Sequence, residues 1–153
     1  MAKYKVSLYV CPAQFPFPFA IHPWFVAEKD QQVNRWGIGH RRHDRSQSWG
    51  YLNKNFRPPY QGIPVFPYID NLFFWTGKLI GSIEGGDGSL AEKVYNFIEN
   101  SNVAYPYRDR YRLAGPNSNT YVQWVLSHFP ELKLKLPRGA IGKNYDPGIS
   151  SQS

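Results

Sequence analysis

At 153 residues, with 42% hydrophobic and 19% charged side chains, the chain is long enough to bury its own core, which excludes intrinsic disorder and a stapled miniprotein. A single cysteine, Cys11, excludes an internal disulfide and a cysteine-rich zinc site, and no apolar run approaches the ~18 residues of a membrane helix. Eighteen basic against eleven acidic residues give a charge of +7, which favours anionic partners without specifying one and leaves a cytoplasmic protein as the default.

Residues 3–10 alternate Tyr4, Val6, Leu8 and Val10 against Lys3, Lys5, Ser7 and Tyr9, which predicts a half-buried strand. Pro12, Pro16 and Pro18 then break the pattern, so 11–19 reads as an extended linker, with Cys11 an inert thiol within it. Residues 19–27 and 33–40 flank the polar turn 28–32, and they predict a β-hairpin carrying His22 on its first strand. A charged excursion follows at 40–48, then a proline- and aromatic-rich stretch to 67 without helical period. Residues 70–83 suit one or two buried strands.

Gly85, Gly86 and Gly88 make a turn, and no lysine follows at the spacing of a phosphate loop. Ser89-Leu90-Ala91-Glu92 is a capping box, and Leu90, Val94, Phe97 and Ile98 continue it as a helix over 90–100. A tyrosine-rich connection with Tyr105, Tyr107 and Tyr111 leads to Gly115-Pro116-Asn117-Ser118-Asn119-Thr120. There small polar side chains meet the free N–H groups of a second helix, over 118–128, whose Tyr121, Val125 and Phe129 recur on one face. Leu132, Leu134 and Leu136 alternate with lysines as a short edge strand, and 146–153 is expected to be loose.

The segments Tyr105-Pro106-Tyr107, Gly115 to Tyr121, Pro130-Glu131-Leu132 and Ala140 to Lys143 resemble the signature of a bacterial domain-of-unknown-function family marked by a GPNSNTF-type box. His22-Pro23-Trp24-Phe25 resembles its upstream histidine strand. More distantly, the order of elements is similar to circularly permuted papain-like proteins, the NlpC-type and lecithin:retinol acyltransferase-like groups. In those, a histidine strand precedes a helix, a tyrosine connection, and a second helix opening on the nucleophilic cysteine. Ser118 stands where that cysteine would be.

The resemblance implies an α+β fold: one domain over 1–145, with an antiparallel sheet packed against two helices in a permuted papain-like arrangement. It also implies Ser118, His22 and His40 as nucleophile, base and orienting group, with Asn117, Asn119, Thr120 and Trp24 contacting a ligand. No metal or cofactor is implied. A helix N-terminus stabilises a thiolate, but a dipole worth ~1 kcal/mol cannot ionise a serine, which needs a neighbouring base. Two functions therefore stand open: a serine-variant amide, ester or acyl hydrolase or acyltransferase, or a catalytically inactive relic that binds a small molecule or protein. A third class, a basic structural or nucleic-acid-associated protein, would use residues 35–49, where Arg41, Arg42 and Arg45 lie between Trp36 and Trp49.

Overall fold

The computed structural model describes residues 1–43, 47–66 and 72–145. Seven strands and three helices follow in chain order: β1 (Tyr4–Pro12), β2 (Ile21–Lys29), β3 (Gln32–His43), β4 (Ser48–Lys54), β5 (Gln61–Pro64), β6 (Phe74–Thr76), β7 (Lys78–Gly85), α1 (Leu90–Glu99), α2 (Ser101–Ala104) and α3 (Ser118–Ser127). The fold is α+β. A five-stranded antiparallel sheet, ordered β4-β3-β2-β1-β7, lies beside a small β5-β6 sheet.

Strand alternation sorts the core into two layers. On one face Val6 stands opposite Ala27, Leu8 opposite Phe25, Phe25 opposite Trp36, and Ile38 opposite Leu52. These residues are buried with Ala91, Val94 and Ile98 of α1 and Tyr121, Val122 and Val125 of α3, so both helices cover the same face. Each fully buried side chain of this size contributes ~1.5–3 kcal/mol. On the other face Cys11, Trp24 and Val26 are buried against Tyr9, Val33, Ile63 and Trp75, so the small sheet covers that side. Burial pushes the Cys11 thiol up to about 11, which leaves it protonated and unreactive at neutral pH.

The helices start where their caps predict. Ser89 Oγ accepts from the Glu92 N–H, while the Glu92 carboxylate accepts from the Gly88 N–H. At α3 the cap is Asn117: Oδ1 accepts from the N–H groups of Asn119 and Thr120, and Thr120 Oγ1 accepts from the Asn117 N–H. Among the described residues no helix is long and apolar enough to cross a membrane.

Three expected elements differ. The strand at 33–40 runs on to His43, and 48–54 returns beside it as β4, so the charged excursion is mostly a hairpin. Residues 74–85 divide between two sheets, and β7 is a half-exposed edge rather than a buried strand. Leu132 and Leu136 are buried while Lys133 and Lys135 are exposed, yet no strand forms there. Alternation records which side chains face inward, and a ladder additionally requires a partner edge. Asp44, Arg45, part of the 50–67 and 70–83 segments (67–71) and the 146–153 tail lie outside the described residues.

The sheet divides at one end. β1 and β2 stay paired as far as Pro12 opposite Ile21, and β3 and β4 as far as His43 opposite Gly50. Between these two arms, β2–β3 pairing stops at Phe25 opposite Trp36. Pro23 supplies no N–H to a ladder, and Gly37 and Gly39 add no side chains to hold one, so the strands part here. The first turn of α3 closes the resulting wedge. Asn119 Nδ2 donates to Ile21 O and Ile141 O (2.9 Å each), Asn117 Nδ2 to Leu113 O and Ile141 O, and Thr120 Oγ1 to Gly142 O.

Gly142 has φ +97°, and a Cβ there would stand 2.5 Å from the Asn117 amide. Gly142→Ala should therefore lose about 2–4 kcal/mol of stability, from backbone strain plus a displaced cap. Gly88→Ala, at φ +80° with open space around it, should lose about 1 kcal/mol. Urea denaturation compares the two, and equal losses would refute the clamp.

Candidate functional site

The wedge is a cleft of about 790 Å³ whose walls come from both arms, the β1–β2 linker and the start of α3. Ser118, His22 and His40 all line it, so residues 96 positions apart in sequence share one space. Asn117 and Asn119 line it too, whereas Thr120 and Trp24 do not. The Thr120 hydroxyl is consumed by the capping box and Gly142 O. Trp24 is buried behind the wall, with its indole N–H donated to Pro59 O at 2.8 Å.

Because Asn117 does the capping, Ser118 is spared. Its hydroxyl and its backbone N–H have no hydrogen-bond partner among the described residues, at the helix end where backbone donors converge. Asn119 is tightly held through its Nδ2, and its Oδ1 is buried without a donor. The two carbonyls facing Nδ2 fix that amide's orientation, since a reversed amide would set oxygen against oxygen.

His22 is half-buried, with its ring 6.1 Å from that of Trp24. No hydrogen bond joins it to Ser118 or to His40 among the described residues. Its pKa is pushed down to about 3, first by burial and then by the charges of Arg35, Arg57 and His40. The imidazole is therefore neutral at physiological pH. His40, at the exposed end of β3, acts on it as a like charge.

Arg35 is the residue that the sequence alone did not single out, and it sits in the surface-charge reading of 35–49. It is 6% exposed and lines the cleft. Its guanidinium stacks on Trp24 with Cζ 4.0 Å from the ring centre, and Nη1 donates to Pro58 O (2.6 Å) and Gln61 O. No carboxylate pairs with it among the described residues. The signal in the sequence is its register: Val33, Arg35 and Gly37 alternate onto the face where Trp24 and Val26 are buried.

The nucleic-acid reading of this segment names Trp36 and Trp49 as stacking surfaces, and of the two Trp49 is half-buried. Trp36 is 1% exposed and lies parallel to Trp49 at 5.5 Å, and its indole N–H goes to Glu99. Arg42 pairs with Asp109 at 3.3 Å.

The chain belongs to a family described as a protein of unknown function (DUF3750), matched over residues 3–145. No curated protein and no solved structure matches it.

The depressed His22 pKa has a readable sign. The unfolded histidine takes a proton near its ordinary 6.5 while the folded one resists to about 3, so folding is penalised as pH falls through this window. Stability should fall between pH 6.5 and 3, and His22→Asn should flatten that part of the profile. Denaturant midpoints at half-unit pH steps measure it, and an unchanged slope in the variant would refute the assignment.

Proposed function

We propose that this protein is a non-catalytic binding domain, descended from a papain-like scaffold, that holds an organic ligand in the cleft beside Ser118. The observation that carries this reading is the electrostatic setting of His22. A base that takes a serine proton becomes an imidazolium, and a triad stabilises that charge with an acid. Here the neighbours of His22 are Arg35, Arg57 and His40, all of the opposing sign for that purpose. Among the described residues no Asp or Glu lines the cleft. A general base also works best with a pKa near the operating pH, and about 3 is far from it.

Descent is supported by chain order: a histidine strand, a capped helix, a tyrosine connection, then a helix opening at Asn117-Ser118. In this reading Ser118 keeps the place of a nucleophile and serves as a hydrogen-bonding group. Its open hydroxyl and N–H are suited to a polar atom of a bound molecule.

The competing reading is a hydrolase or acyltransferase, favoured by one feature. An unoccupied N–H at the first turn of α3 could stabilise an oxyanion. The two are separated by a fluorophosphonate probe, which reacts with activated serines. The expected outcome is no labelling of Ser118 over the pH range where the fold persists. Labelling at Ser118 that His22→Ala abolishes would establish the enzyme and overturn the binding reading.

A further inference from the structure

The cleft has a built end and an apolar mouth. At the built end the Arg35 guanidinium is held from two directions, by the Trp24 ring beneath it and by the carbonyls of Pro58 and Gln61 on Nη1. That leaves the Nε–Nη2 edge without a protein acceptor among the described residues. This edge is the one whose two parallel N–H bonds match the two oxygens of a carboxylate. A guanidinium buried to this degree normally faces an acid, and none is supplied among the described residues. Arg41 and Arg57 also line the cleft, and no Asp or Glu does among the described residues.

At the mouth stand Phe15, Phe17, Phe19, Phe56, Leu113 and Ile141, which are 39–71% exposed and all line the same cleft. Rings so exposed within one concave surface mark a place where apolar matter is bound. Among the described residues no acidic side chain lines the cleft beside them, and a tail laid against them needs no hydrogen bonds.

We infer that the ligand is an amphipathic carboxylate, a long-chain fatty acid or close analogue, with its carboxylate on the Nε–Nη2 edge of Arg35 and its chain against the phenylalanines at the mouth. This rests on the binding reading above, and it names the ligand class of that site.

The test is titration of the intact protein with dodecanoate, dodecanol and dodecyltrimethylammonium, each below its micelle concentration, followed by calorimetry. Dodecanoate should bind at least about tenfold tighter than dodecanol, as expected for a charge-assisted bidentate pair, and the ammonium should not bind. Arg35→Lys keeps the charge and loses the fork, so it should weaken dodecanoate about tenfold while leaving dodecanol unchanged. Should Arg35→Lys fail to fold, Phe17→Asp at the exposed mouth serves instead, and it should weaken dodecanoate and dodecanol together. Equal affinity for the three headgroups would overturn the inference, as would association with anionic vesicles and none with monomeric dodecanoate. Fluorophosphonate labelling of Ser118 alongside selective dodecanoate binding would remove the non-catalytic reading and leave the ligand class standing.

Discussion

The arrangement of the molecule depends on the side-chain amide of Asn117. Its oxygen satisfies two backbone donors of α3, and its nitrogen satisfies the carbonyls of Leu113 and Ile141. Helix starts leave N–H groups without internal partners, and a buried start must find them elsewhere. Asn117 meets that requirement while binding the preceding loop and the C-terminal segment to the helix. Asn119 extends the clamp to β2 through Ile21 O. The first turn of α3 is thereby fixed against the open end of a sheet whose central strands have separated.

That separation gives the cleft its character. A continuous sheet would present only one face to any ligand, whereas the parted arms expose residues from both faces along one wall. Ile38 belongs to the helix-covered layer and Arg35 to the layer beneath the small sheet, yet both line the same space. Pro23, Gly37 and Gly39 are small or donor-poor positions at the point of divergence, which costs the sheet a few ladder bonds. Asn119 and the C-terminal segment offset that loss with side-chain bonds to the freed backbone.

Electrostatics then divides the roles of groups that share this space. Arg35 stays charged because Trp24 and the carbonyls of Pro58 and Gln61 solvate it in place of water. His22, half-buried and with no such partner, gives up its charge instead. The cleft is therefore cationic through its arginines and neutral at its histidine. A catalytic serine–histidine pair would need the reverse, with a histidine that gains charge easily.

Much of the fold was legible in the residues. Period-two alternation in 3–10 marked β1, and the capping signals at Ser89 and Asn117 marked both helix starts, because each encodes a local physical requirement. The shared cleft of Ser118, His22 and His40 followed only from an analogy of element order, and Thr120 and Trp24 fell behind its walls because local sequence does not say which side of a wall a residue occupies. Arg35 was hidden for a similar reason. Charge in a loop-like run reads as surface, and only strand register carries it inward. The sequence by itself determined the strands of β1 and β2, the helices α1 and α3 with their caps, and the excess of positive charge, all set by neighbours within a few positions. Tertiary structure alone decided where β2 and β3 part, which arginine is buried without an acid among the described residues, and that His22 lies near Arg35, Arg57 and His40, because each depends on groups brought together from distant parts of the chain.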